Sequence, residues 1–406
     1  MAAARSSRDQ MNAVAPHRGE RIYLDHGATS WPKPPAVIAA VSRALTDLGA
    51  NPGRSAHAMA LEASRAVEAA RGRCARLLGV PEARQLLFLP GCTIACNLML
   101  KGYLRPGDRV VVGSMEHNAV VRPLASLAAQ GLEVVVVAAD DTGLIDPGEV
   151  ERQVRAAPTR AVICQHASNV TGTIQLIGEM AEITREQGAR LLVDGAQAVG
   201  HLEVDLASLG VDAYAASGHK GLLGPQGVGV LAVAADLELD VLIEGGTGGE
   251  ASAQPDMPRE RPDRYEPGTL NTPGILGLGA AAERLAADGV QRRRRADDLL
   301  HRLHEGIDAL GGFRVLGPPR PQHRLPLLSV VHDWLTADRI AFDLDRSHGI
   351  AVRAGLHCAP WAHRTMGTLE GGAVRFSLSA DNSDNHIDRA LEALRRIVSR
   401  AGHGET

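Results

Sequence analysis

Arg190-Leu191-Leu192-Val193-Asp194-Gly195-Ala196-Gln197, with Ser217-Gly218-His219-Lys220-Gly221 downstream of it, decides how this chain folds. An apolar run that ends on a carboxylate and turns at once on glycine reads as a buried strand that delivers Asp194 at its end, not on a helix surface. Open α/β sheets bind their ligands at such ends. A carboxylate there can hold a proton on a heteroaromatic ring nitrogen. The second block follows another apolar run, 211–216, and supplies a hydroxyl, an imidazole and an amine within four residues. Schiff-base chemistry needs an amine of depressed pKa, and a partly buried lysine among polar groups suits it. Taken alone, Lys220 would read as a solvated loop lysine; the Ser-x-His-Lys context with Asp194 upstream reverses that reading.

The same alternation extends outward. Apolar runs at 86–89, 109–113, 133–138, 160–165 and 227–233 predict further strands, and helical periodicity at 62–78, 118–130 and 176–187 lies between them. This is the pattern of an α/β fold with a large, mainly parallel sheet covered on both faces. After the Gly and Pro punctuation of 244–273 the character changes to a helical stretch at 275–310, strands near 327–331 and 374–379, and a closing helix at 385–400. The expected organisation is a tail over 1–20, a large domain over 21–273 whose first segments pack on the small domain, and a smaller α+β domain over 274–406.

Composition excludes several function classes. With 406 residues, 45% hydrophobic and 22% charged, the chain has ordinary globular composition and enough length for two domains. The 43 basic and 47 acidic residues are spread along it, so no basic stripe is available for a phosphate backbone and no nucleic-acid partner is expected. Apolar runs such as 132–139 fall far below the roughly 20 residues of a spanning helix, so no membrane partner is expected. The Ala-, Arg- and Ser-rich opening lacks an apolar core and reads as a loose tail, not a signal peptide, which points to the cytoplasm. Five cysteines at irregular spacing make no disulfide framework. Cys74, Cys92, Cys96 and Cys164 read as structural. Cys92 and Cys96 flank a helix start with three residues between them and no second ligand pair, so no metal is expected.

An anion site is also legible. Pro90-Gly91-Cys92-Thr93 turns from a strand into the helix that carries Asn97, and a helix start offers free N–H groups to an anion. The glycine run Glu244-Gly245-Gly246-Thr247-Gly248-Gly249 has neither the lysine nor the spacing of a P-loop and reads as a flexible loop.

These blocks, together with Tyr23-Leu24-Asp25-His26-Gly27-Ala28-Thr29, Met115-Glu116-His117-Asn118, His166-Ala167-Ser168-Asn169 and Glu266-Pro267-Gly268-Thr269-Leu270-Asn271-Thr272, resemble the class V aminotransferase group of fold-type I pyridoxal-phosphate enzymes. The resemblance runs from about Tyr23 to Arg396. Within that group, Arg353-Ala354-Gly355-Leu356-His357-Cys358-Ala359-Pro360 resembles the nucleophile loop of group II (Suf-type) cysteine desulfurases and selenocysteine lyases, not the Ser- and Gly-rich loop of group I. The resemblance implies pyridoxal 5'-phosphate held by Lys220, with His117 stacked on the ring and sharing in proton transfers. Asp194 would pair with the ring nitrogen, Asn169 and Gln197 would contact the ring side, and Thr93, Ser217 and His219 would bind the phosphate. Thr269 would reach the phosphate of a neighbouring subunit in a homodimer. Arg375 would grip the substrate carboxylate, with Asn169 also at the substrate.

The implied activity is conversion of L-cysteine to L-alanine, with Lys220 as the base at Cα and sulfur passing as a persulfide on Cys358 to an acceptor, as in iron–sulfur cluster assembly. Arg353 and His357 are expected to favour the Cys358 thiolate. A selenocysteine lyase, or a C–S lyase on a thioether, would use the same cofactor site. An aminotransferase or kynureninase-like hydrolase would not need Cys358, and a non-catalytic scaffold would need none of these groups. The sequence departs from better-known members at Ile94-Ala95, at Leu356 and at Ala380-Asp381.

Overall fold

The computed structural model describes residues 20–53, 57–247, 253–319 and 323–402. All of the expected tail but Glu20, and Gly248 and Gly249 of the glycine run, lie outside the described residues. A two-residue strand β1 (Ile22–Tyr23) precedes the strands β2 (Leu86–Leu89), β3 (Arg109–Gly113), β4 (Glu133–Val137), β5 (Ala161–Gln165), β6 (Arg190–Asp194), β7 (Ala213–Ser217) and β8 (Gly229–Val233). The last seven form one sheet of order β2-β8-β7-β6-β5-β3-β4. Parallel pairing joins β7, β6, β5, β3 and β4, whose connections run through helices, and β8 pairs antiparallel with both β7 and β2. The turn from β7 into β8 is too short for a crossover helix, so the chain must return in the opposite direction. That turn carries His219 and Lys220.

Every residue of β2, β3, β5, β7 and β8 is buried, as expected for strands covered on both faces. The two faces belong to separate cores: Val111, Val162, Leu191 and Val193 on one, and Val110, Val112, Ile163 and Leu192 on the other. Two glycines are required where the sheet meets the Gly91 turn. Gly91 has φ 104°, and a Cβ on Gly229 would lie 2.8 Å from the Gly91 carbonyl carbon.

The second sheet has the order β12-β13-β10-β9 and uses β9 (Phe313–Leu316), β10 (Leu327–His332), β12 (Arg353–Gly355) and β13 (Ala373–Ser377). The short strand β11 (Ile350–Ala351) pairs parallel with β1. Ile22 and Leu24 are buried with Leu328, Val330, Val374 and Phe376 in this second core. The helix Thr272–Asp308 spans both regions: Ile275, Leu278 and Leu285 pack into the core of the large sheet, and Leu299, Leu303 and Ile307 into the core of the small one.

The expected strands 86–89, 109–113 and 190–194 form as bounded, and the helices expected at 118–130 and 176–187 form as Asn118–Ala128 and Ile177–Glu186. Sequence reading did not find β1 and β9, or the helices Pro35–Thr46 and Pro147–Ala156. The strands are four residues or fewer, too short to show a period of two.

A buried ion pair ties the edge of the large sheet to the segment leading into the long helix. Arg71 meets Glu266 through two hydrogen bonds, Nη1 to Oε1 at 2.6 Å and Nη2 to Oε2 at 2.9 Å, and Nη1 also donates to the carbonyl of Leu86. Glu266 Oε1 accepts from the Phe88 N–H at 2.6 Å. Side-chain exposure is 1% for Arg71 and 3% for Glu266, so removing one partner leaves an uncompensated buried charge. Glu266→Ala is expected to cost about 3–5 kcal/mol, read as a lower urea midpoint. A midpoint equal to that of the parent protein would rule out this anchoring role.

Candidate active site

The C-terminal ends of β5, β6 and β7, the Gly91 turn and the Arg353–Arg375 region of the small sheet close around one cavity of about 310 Å³. Its lining includes Thr93, His117, Asn169, Asp194, Gln197, Ser217, His219, Lys220 and Arg375, which come from six separate stretches of sequence. Asp194 ends β6 as the strand reading requires, and its Oδ1 accepts from the Ala196 N–H at 2.9 Å. Thr93 stands in the first turn of the helix Cys92–Tyr103, whose N-terminal N–H groups have no side-chain cap and are open to an anion.

Burial sets the charge state of the cavity. The Lys220 amine is pushed down from the ordinary lysine value, chiefly by desolvation, with Asp194 opposing the shift. His117 is pushed down to about 4, first by burial and then by nearby positive charges, while its Nδ1 accepts from the Ala119 N–H at 3.0 Å. A neutral ring stays available for stacking. Asn169 donates from Nδ2 to the His357 carbonyl at 2.7 Å, and Gln197 from Nε2 to the Gly27 carbonyl at 3.0 Å. Asn169 Oδ1 and His219 Nδ1 are buried without a hydrogen-bond partner among the described residues. Unpaired polar atoms at a cavity wall mark places where a ligand completes the bonding.

Arg375 is 1% exposed and lies on β13. Its Nη2 donates to Asp25 Oδ1 at 2.8 Å and its Nη1 to the Asn169 carbonyl at 3.1 Å, while Nε has no partner among the described residues.

Two expected residues lie outside this cavity. Cys358 borders an adjoining hollow of about 350 Å³ that shares Thr93 and His117 with it. Thr269 lines a separate apolar hollow that shares Pro90 and Gly227 with it, and within its own chain it does not reach the cavity. Gly27, Ala28 and Cys92, to which the sequence reading gave no role in the site, also line the cavity, as do Arg353 and His357, which were expected only to favour the Cys358 thiolate. Cys92, expected to be structural, is therefore a wall of the site. It begins its helix and so stands on the same helical face as Cys96, where the sequence placed the two on either side of a helix start.

The Cys358 loop is held in a specific shape. His357 and Cys358 are consecutive non-glycine residues in the left-handed region, at φ 51° and 58°, a conformation that persists only when the surroundings enforce it. The Cys358 carbonyl accepts from the Asn118 N–H at 2.9 Å, which ties the loop to the start of the His117 helix. Arg353 Nη2 donates to Cys358 Sγ at 3.5 Å. His357 does not supply the positive charge expected of it: burial, then Arg375, push it down to about 2, so it is neutral.

The hydrogen bonds assign the protons of the imidazoles behind the loop. His357 Nε2 faces the Arg353 carbonyl at 3.3 Å and must donate, so its Nδ1 accepts from His363 Nε2 at 3.1 Å. His363 Nδ1 then accepts from the Thr368 hydroxyl at 2.8 Å. The network is satisfied from end to end with both rings neutral, and His363 is also pushed down to about 4 by burial.

A model of the aminotransferase class-V family matches residues 22–390. The chain belongs to the class V aminotransferase family. Among its relatives, the probable cysteine desulfurase of Methanothermobacter thermautotrophicus is 34% identical, covering 93% of this chain and 95% of that protein. The probable cysteine desulfurase of Pseudomonas aeruginosa is 37% identical, with 93% of each chain covered. The apo structure of a cysteine desulfurase from Thermococcus onnurineus superposes with a TM-score of 0.87 at 30% identity, covering 98% of this chain and 100% of that one. The Escherichia coli cysteine desulfurase CsdA gives a TM-score of 0.84 at 29% identity, covering 98% and 99%.

The Thr368 hydroxyl ends the imidazole chain, so Thr368→Val leaves buried His363 Nδ1 without a donor. The expected loss is about 1–3 kcal/mol of stability, with Thr368→Ser restoring it. Equal unfolding midpoints for Thr368→Val and the parent protein would show that the chain does not brace the loop.

Proposed function

We propose that this protein is a cysteine desulfurase that uses pyridoxal 5'-phosphate, converts L-cysteine to L-alanine and carries the sulfur as a persulfide on Cys358. The observation that carries this reading is the position of Cys358. It sits beside Arg353 in a hollow that shares Thr93 and His117 with the cavity holding Lys220, Asp194 and Arg375.

The cavity suits the cofactor. It pairs a carboxylate with an amine of lowered pKa, sets a neutral imidazole on one wall and an uncapped helix start on another, and leaves Asn169 Oδ1 and His219 Nδ1 unpaired. Lys220 would hold the aldehyde, Asp194 would keep the ring nitrogen protonated, and His117 would stack on the ring face. Asn169 and Gln197 would contact the ring side. Thr93, Ser217 and His219 would bind the phosphate, joined by Thr269 of the partner subunit in a homodimer. When bound, the cofactor would supply an electron sink for the charge that develops at the substrate Cα.

Arg375 grips the substrate carboxylate through its planar guanidinium, which Asp25 and the Asn169 carbonyl orient. Lys220 takes the Cα proton, a role open to an amine that burial keeps easily deprotonated. Cys358 Sγ attacks the substrate sulfur. The S–S bond forms as the Cβ–S bond breaks, the electron pair stays with Cβ, and one proton delivered there and one returned to Cα yield alanine. Arg353 places a positive charge beside the attacking sulfur. The persulfide then passes to an acceptor.

Two outcomes test this reading. Borohydride reduction of the cofactor-loaded protein followed by peptide mapping should find the pyridoxyl label on Lys220; a label on Lys33 or Lys101 would refute the assignment.

Cys358→Ser should keep the cofactor and its colour, yet form no persulfide and release little alanine from cysteine. Mass spectrometry for an added sulfur on the Cys358 peptide gives the second readout. Full alanine release by the variant, or a persulfide on Cys92 or Cys96 of the unmodified protein, would move the function to a C–S lyase.

A further inference from the structure

The helix that opens the anion site carries two thiols on one face, and β6 brings a third ligand to them. Cys92 Sγ lies 4.0 Å from Cys96 Sγ and 3.6 Å from Asp194 Oδ1, and one ligand atom from each of the three residues fits within 4.8 Å of the others. Spacing of four residues on a helix puts Cys92 and Cys96 one turn apart and facing the same way. Tetrahedral zinc with ordinary Zn–S and Zn–O bonds needs sulfurs about 3.8 Å apart and a sulfur-to-oxygen spacing of about 3.5 Å. Two of the three observed spacings therefore sit close to a coordination polyhedron before any cation arrives, and the third, Cys96 to Asp194, is within 4.8 Å. Among the described residues no other His, Cys, Asp and Glu side chains meet in this way.

We propose that Cys92, Cys96 and Asp194 form a site for a thiophilic divalent cation such as zinc, and that this site competes with the cofactor for Asp194. The sequence alone argued against zinc because Cys92 and Cys96 have no second pair of ligands nearby; the third ligand comes from a strand that the fold places beside their helix. Access is through the cofactor cavity, since Cys92 lines it while Cys96 is fully buried behind. Three protein ligands leave one coordination position open to water or to a substrate thiol. Binding displaces one proton from each thiol. Two thiolates and a carboxylate around a divalent cation leave one negative charge, and the Lys220 amine, which interacts with both Cys92 and Asp194, is placed to offset it. A cation there draws charge from the carboxylate that the proposed function assigns to the ring nitrogen, so the competition part of the proposal rests on that assignment, and the site itself does not.

The test is a cadmium titration of the full-length protein stripped of cofactor, followed by the ultraviolet sulfur-to-cadmium charge-transfer band, with native mass spectrometry for stoichiometry. The expected result is one cadmium per chain, a band that disappears in Cys92→Ser and in Cys96→Ala, affinity reduced at least tenfold in Asp194→Asn, and a band retained in Cys358→Ser. Protein preloaded with pyridoxal phosphate should bind cadmium at least tenfold more weakly. A band that survives in Cys92→Ser or Cys96→Ala, or that depends on Cys358, overturns the site. Equal affinity with and without cofactor overturns the competition. Failure of the stripped protein to rebind pyridoxal phosphate, with the cadmium band intact, would instead count against the proposed cofactor reading.

Discussion

The site depends on one buried guanidinium. Arg375 cannot sit 1% exposed without partners, and the partners it has come from distant parts of the chain: Asp25 just after β1, and the Asn169 carbonyl just after β5. Meeting that requirement brings the N-terminal segment, the large sheet and β13 to a common seam, and the cavity is the space left along it. The two cores on either side are apolar and would tolerate many relative positions. A charge that must be paired fixes one. Desolvation lowers the Arg375 pKa and Asp25 raises it, so the pair offsets part of the cost of burial.

Charge in the cavity follows from burial as much as from residue type. His117, His219 and His357 are all held neutral, each first by desolvation, which leaves Arg353 and Arg375 as lasting cations and Asp194 as the carboxylate on the wall. A pocket with two guanidiniums and an uncapped helix start favours ligands that bear a carboxylate and a phosphate. Lys220 stands between the extremes, since burial makes its amine easier to deprotonate while Asp194 restrains that shift. The same surroundings serve Cys358 differently. Exposed at the rim, it takes its positive neighbour from Arg353 at 3.5 Å, while the imidazole next to it in sequence turns inward to brace the loop.

Much of this was legible in the amino-acid sequence. The parallel core was readable because β3, β5 and β6 are apolar runs bounded by turns, the form that a strand buried on both faces takes. Asp194 and Lys220 were readable because each follows such a run directly, and strand ends are where these sheets bind ligands. The class V family motifs covered Thr93, His117, Asn169, Gln197, Ser217, His219 and Arg375, all of which the fold gathers at one cavity.

Side-chain direction and partner choice were not legible, because they depend on residues far away in the chain. Nothing local indicates that Asp25 pairs with Arg375, that burial and Arg375 strip His357 of its charge, or that Cys92 lines the cavity beside Asp194. Thr269 is the converse: its motif is plain in the sequence, yet within one chain it lies on a different hollow. The sequence by itself determined the strands, the residues at their ends and the chemistry those residues can perform, since apolar runs and turn residues act over a few positions. Tertiary structure alone decided which of them meet and in what charge state, since burial and ion pairing are set by groups that only the completed fold brings within reach.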